Sequence, residues 1–122
     1  MYKKIIVAVD LAEQEVAQPA LAAAIEMASL TKGELRLVYV RHPIPASPLG
    51  IVGADVLSDQ KDYFDAELAK LAAALNFPKE RLSTANLSGA VYDAVLDEAS
   101  NWGADLIVVA AHRPSMATYL LG

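Results

Sequence analysis

The segment Leu106-Ile-Val-Val-Ala110 is wholly apolar and shows no alternation. It is too short for a helix. It also lacks the period-two pattern of a half-buried strand, so it reads as a strand covered on both faces. The turn Gly103-Ala104-Asp105 precedes it, and Ala111, His112, Arg113 and Pro114 follow. Polar groups therefore gather just past the carboxyl end of a buried strand. In open α/β sheets, ligands bind at that end, where the strand order reverses. Ile5-Ile-Val-Ala-Val9 is a second apolar run of this kind, rich in β-branched residues, and it stops at Asp10. Two such strands demand helices on both faces of one sheet.

The segments between them supply helices and further strands. Val16, Ala20, Ala23, Met27 and Leu30 recur at helical spacing, which predicts an amphipathic helix. Pro19 is expected in its first turn and Lys32-Gly33 at its end. Leu35 to Val40 reads as strand two, with Arg36 near its start. Arg41 to Asp55 holds Pro43, Pro45, Pro48, Gly50 and Gly53. It reads as a long loop on the same rim, of the kind that often serves as a lid. Leu57, Phe64, Leu68, Leu71 and Leu75 mark a second helix ending before Pro78. Leu82 to Leu87 is strand three, whose polar residues suggest an edge. Val91, Ala94, Val95, Glu98, Ala99 and Trp102 fit a third helix, with Met27 and Trp102 placed in the core. The pattern β-α-β-α-β-α-β predicts an open parallel sheet, an α/β fold in one domain spanning 1–122.

Composition narrows the function classes. The formal net charge is −5, and the longest Lys/Arg run is Lys3-Lys4, which argues against a nucleic-acid or anionic-membrane surface. There is no cysteine, hence no thiolate chemistry and no Cys-based zinc site. No apolar run reaches the length of a membrane span, and no leader is evident, so a cytoplasmic location is expected. No phosphate-binding Gly-x4-Gly-Lys-[Ser/Thr] loop, metal-spaced His pair or Ser-His-Asp context is recognisable.

Tyr2-Lys-Lys-Ile-Ile-Val-Ala-Val-Asp10, Leu37-Val-Tyr-Val40, Ala104-Asp-Leu-Ile-Val-Val-Ala-Ala-His-Arg-Pro114 and Tyr119-Leu-Leu-Gly122 together resemble the universal stress protein family. The last two pieces are similar to the subgroup lettered F and G, some members of which bind ATP. The resemblance implies a Rossmann-like sheet of order 3-2-1-4-5, with a switch point between strands one and four. The family signature Gly-x2-Gly-x9-Gly-[Ser/Thr], counted back from Gly122, sets its second glycine on His112 and its first on Val109 or Ala110. Both early glycines are thus replaced, although such glycines let backbone approach phosphates closely. Family members continue past the last glycine with a helix and a fifth strand. The expectation here is a domain without that C-terminal helix and strand.

The resemblance implies a nucleotide-binding regulatory or stress-response protein taking ATP, with Mg2+ as companion ion. Its site would be built from Ala8, Val9, Asp10, Val40, Ala110, Ala111, His112, Arg113 and Gly122. Asp10 has two readings: a turn or helix cap, or a contact to nucleotide or magnesium-bound water. Val40 would offer backbone groups to adenine. Arg113 could bind phosphate bidentately or be a surface arginine, and His112 is either a loop side chain or a ligand. The resemblance further implies a homodimer or homotetramer and a regulated protein partner such as a transporter. The alternative is a dimeric interaction protein of the same fold that binds no nucleotide. A slow ATPase is a third reading, because hydrolysis needs groups to orient water and steady the transferring phosphoryl.

Overall fold

The computed structural model of the chain describes residues 2–41 and 54–110; of residues 54 and 55 it describes the backbone. Four strands form one parallel sheet: β1 (Lys4–Ala8), β2 (Glu34–Arg41), β3 (Leu82–Ser88) and β4 (Leu106–Val109). Their order is β3-β2-β1-β4. The chain runs from β1 to β2 to β3 in one direction, then returns to pair β4 with the other side of β1. Helices α1 (Gln14–Thr31), α2 (Ala54–Ala74) and α3 (Val91–Trp102) connect them. The long loop expected from 41 to 55 lies mostly outside the described residues. Arg41 closes β2, and Ala54 opens α2.

β1 is the centre of the core. Ile5, Ile6 and Val7 are each 0% exposed, and full burial of such side chains stabilises by roughly 1.5–3 kcal/mol apiece. Ile5 and Val7 face the α1–α2 side with Leu21, Leu35, Leu37 and Leu68. Ile6 faces the α3 side with Val38, Val40 and Val95. The two faces of one strand thus hold two helical layers.

α1 differs from its expected face by one position. Ala17, Leu21, Ala24 and Ala28 are buried, whereas Met27 is 39% and Leu30 73% exposed. Two interleaved apolar sets on this helix satisfy a 3.6-residue period. The alanine-rich set lets the helix lie closer to the sheet, and that set is the buried one. Pro19 also lies inside the helix rather than in its first turn, because a short 3-10 turn, Leu11–Glu13, runs into α1 and moves its start to Gln14. At the other end Lys32, not glycine, takes the left-handed conformation, φ 54°. Gly33 is required for another reason: a Cβ there would sit 2.6 Å from the Lys3 carbonyl oxygen.

β4 is less buried than its composition suggests. Leu106, Ile107 and Val108 are half-buried, and Val109 is 67% exposed. Among the described residues β4 pairs with β1 alone. Trp102 packs against the α3-side core, as expected for a core position, with the Arg36 guanidinium 4.3 Å from its ring centre. Arg36 also pairs with Glu98.

The start of β4 is tied to the start of β1. Asp105 Oδ2 accepts from the Lys3 N–H at 2.9 Å and Oδ1 from the Lys4 N–H at 3.0 Å. The Asp105 N–H donates to the Lys4 carbonyl at 2.9 Å. The bond from Lys3 chiefly, aided by that from Lys4, holds the Asp105 carboxyl below its ordinary value of 3.8 against the opposing effect of burial. A depressed folded-state value stabilises above the unfolded value and loses that contribution as pH falls through the folded one. Asp105→Ala should therefore lower stability in urea unfolding at neutral pH, by no more than about 1 kcal/mol because Asp105 is exposed and solvent screens its bonds. The gap between wild type and variant should narrow as the pH falls below 3.8. Equal stability at neutral pH would show that the clasp contributes nothing.

Candidate functional site

A crevice of about 450 Å³ opens at the carboxyl ends of β1, β2 and β4. Its volume falls within the range of small-molecule sites, and its place is where the strand order reverses. Ala8 ends β1, with Val9 and Asp10 directly after it. Val38, Tyr39 and Val40 come from the end of β2, and Val109 and Ala110 from the end of β4. Ala12, Glu13, Val16 and Ala17 contribute the wall from the β1–α1 connection, and Val91 contributes the first turn of α3.

The structure thus brings Ala8, Val9, Asp10, Val40 and Ala110 into one cavity. Ala111, His112, Arg113 and Gly122, expected beside them, lie outside the described residues. Tyr39, Glu13, Val16 and Val91 line the crevice without having been expected there. Tyr39 could have been found from its place between two strand valines at the carboxyl rim. Val91 follows the Ser88-Gly89 turn, which necessarily lies on that same rim.

Local geometry explains how the floor is built. The Val9 N–H donates to the Val38 carbonyl at 2.9 Å, beyond the last paired residue of β1. The chain then turns away at Asp10. Backbone groups of a parallel strand alternate in direction with period two. Val40 therefore directs its N–H and C=O to the same side as Val38, where β1 has already departed. The opposite alternation appears at Arg41, whose carbonyl accepts from Gly89 N–H on the β3 side at 3.1 Å. The rim of β2 consequently presents an amide edge to the crevice.

Asp10 caps the 3-10 turn: its Oδ1 accepts from the Ala12 N–H at 2.9 Å, and its carbonyl accepts from the Glu13 N–H at 3.0 Å. The capping role weighed from sequence is therefore present. It coexists with a position on the crevice wall, because a carboxylate has about four acceptor sites.

Tyr39 is fixed by its ring, which lies 4.8 Å from that of Phe64. Burial raises the Tyr39 phenol above its ordinary value, the Asp10 charge adds to this, and Arg41 opposes it. Arg41 is braced in turn. Its Nε donates to Asn86 Oδ1 at 2.8 Å, and Asn86 Nδ2 donates to Asp65 Oδ1 at 2.9 Å and to the Lys61 carbonyl at 3.0 Å. The amide orientation of Asn86 follows from having a guanidinium on one side and a carboxylate on the other. Lys61 completes the chain by donating to Asp65 at 2.8 Å. Hydrogen bonds from Lys61 and then Asn86 lower the Asp65 carboxyl. The carboxyl end of β2 is thereby tied to β3 and α2.

The lining is chemically selective. Apolar side chains, an exposed amide edge and the carboxylates of Asp10 and Glu13 converge, while the described residues form no three-membered His/Asp/Glu group suited to a metal ion. The cavity can therefore take a flat, partly apolar molecule with hydrogen-bonding edges.

Comparison with known proteins agrees with this architecture. A model of the universal stress protein family matches residues 1–122. Universal stress protein G of Shigella flexneri is 30% identical over 125 residues, covering 100% of this chain and 87% of that protein. A solved structure from the universal stress protein family of Burkholderia pseudomallei is 26% identical, with a TM-score of 0.63, covering 98% of this chain and 88% of the other. Another, a universal stress protein in complex with cAMP, is 22% identical with a TM-score of 0.60, covering 88% and 75%. The match over the full span, on the β3-β2-β1-β4 sheet described above, places this chain in the universal stress protein family.

Proposed function

We propose that this chain is a nucleotide-binding stress-response protein whose crevice takes the adenosine part of ATP or AMP. The observation that carries the reading is the Val40 amide edge, turned to the side that β1 vacates after Val9. Adenine offers a donor and an acceptor side by side, which such an edge can pair. Ala8 and Ala110 keep the walls small enough for a planar ring, and Asp10 stands where a ribose hydroxyl can be accepted. The complex of a structurally similar family member with cAMP supports the same ligand class.

Charge assigns the two ends of the ligand. Asp10 and Glu13 are the charged side chains among the described lining residues, and both repel phosphate. The nucleoside end therefore belongs in this crevice, with the phosphates directed past Ala110 toward Ala111, His112, Arg113 and Gly122. Magnesium fits as an ion held mainly by phosphate oxygens and water, the usual arrangement where no protein cage is built. In this reading the protein acts in the cytoplasm as a homo-oligomer and passes nucleotide occupancy to a protein partner.

Titration calorimetry tests the reading. AMP and ATP with magnesium should both release heat on binding at micromolar to millimolar concentrations, and adenosine should compete. Silence with all three would favour the interaction protein that binds no nucleotide.

A second expectation concerns Asp10. Asp10→Asn keeps an oxygen for the Ala12 N–H but removes the charge, so stability should hold while affinity for AMP drops. Loss of a charge-assisted hydrogen bond of about 1.5–3 kcal/mol corresponds to roughly a ten- to hundred-fold loss. Asp10→Ala should weaken binding comparably and also lower the melting temperature. An Asn variant that binds like wild type would confine Asp10 to its capping role.

A further inference from the structure

Tyr39, on β2, and Asp10, in the turn that follows β1, both line the wall of the same crevice. Tyr39 belongs to the side of β2 that packs with the α1–α2 core. Its ring is set against Phe64, which in turn makes an edge contact with Tyr63 at 5.0 Å. A phenol ring fixed in this way presents its hydroxyl with little freedom left to lose on binding. Register pairs Tyr39 with Asn86 on β3, and the Asn86–Arg41 bond ties the next residue of β2 to the same brace. The ring is therefore held by the aromatic contact, on a strand end that is braced independently.

Its electrostatic setting is specific. Partial burial, and then the Asp10 charge, raise the phenol above its ordinary value of 10.0, with Arg41 opposing, so it is protonated at neutral pH. A protonated phenol both donates and accepts, whereas an ionised carboxylate only accepts. On the wall of one crevice, the two groups together offer one donor and several acceptor sites. That set is complementary to a pair of neighbouring hydroxyls, each of which also donates and accepts. Phosphate would meet the Asp10 carboxylate as a like charge, and a base edge is already matched by the Val40 amide. Within the crevice, a vicinal diol is the part of a nucleoside that fits this pair.

We propose that Tyr39 is a specificity-determining residue of the nucleotide crevice, its hydroxyl joining the Asp10 carboxylate to read the 2′,3′-diol of ribose. The inference rests on the nucleotide reading given above. It adds a sugar preference that the Val40 amide cannot supply. A site built to hydrogen-bond a substrate hydroxyl rejects the analogue that lacks it, because the site's own polar groups are then left unpaired.

The test compares adenosine, 2′-deoxyadenosine and 3′-deoxyadenosine by calorimetry on wild type, Tyr39→Phe, Asp10→Asn and the double variant. Phenylalanine keeps the ring and its contact with Phe64, so the fold should survive; thermal unfolding checks this. Wild type should prefer adenosine over either deoxy analogue by about tenfold, the worth of one good hydrogen bond. Tyr39→Phe should lose most of that preference while binding the deoxy analogues as wild type does. The Tyr39→Phe/Asp10→Asn double variant should show less than the sum of the two single losses. Full sugar preference in Tyr39→Phe would overturn the role of Tyr39 and leave the nucleotide reading intact. A wild type that binds all three nucleosides equally would overturn the diol pair in the same way. A wild type that binds none of them, and no AMP, would remove the nucleotide reading and this inference together.

Discussion

The pairing of β4 with β1 is the interaction on which the crevice depends. β1 is covered on both faces and flanked by β2 and β4, so its direction and height set those of its neighbours. Asp105 accepts from two successive amides at the start of β1. That fixes the register in which Ile5 meets Leu106 and Ala8 meets Val109. A slip by one residue would exchange the faces of every β4 side chain. It would also shift Ala110 along the crevice wall that it shares with Asp10. The clasp sits at the amino ends of the strands, and its consequence appears at the carboxyl ends.

Those carboxyl ends owe their chemistry to where each strand stops. β1 ends early and turns into a capped 3-10 turn, while β2 continues to Arg41. The difference leaves an amide edge on β2 facing open space. One polar residue, Asp10, then does two jobs: it terminates β1 by capping the turn, and it lends negative charge to the cavity wall. The bracing of Arg41 by Asn86, Asp65 and Lys61 keeps the protruding end of β2 in place. Among the described residues, strand lengths and their supports define this site.

Much of this arrangement was legible in the sequence. The runs Ile5–Val9 and Leu106–Ala110 announced two strands, because unbroken apolar runs of that length have few other uses, although β4 is less buried than its run suggests. Asp10 was visible as the residue that stops the first run, whereas the role of Val40 came with the family resemblance. The burial face of α1 was not visible, since Val16-Ala20-Ala23-Met27 and Ala17-Leu21-Ala24-Ala28 have the same period and only close packing chooses between them. The left-handed Lys32 was hidden by the adjacent Gly33, whose requirement comes from a distant carbonyl rather than from its own dihedral angle. Tyr39 looked like an ordinary strand aromatic. Its place near the end of β2 was a signal for the rim, but the packing of its ring on Phe64 of α2 is a tertiary fact.

The most direct test of the central claim is an NMR titration of isotope-labelled protein with AMP. Backbone amide resonances of Val9, Asp10, Val40 and Ala110 should move together and saturate with a common affinity, while those of Lys79 to Arg81, at the opposite end of the sheet, stay in place. Absence of any saturable shift at those four amides, or shifts centred elsewhere on the fold, would contradict a nucleotide site at the β1–β4 switch point.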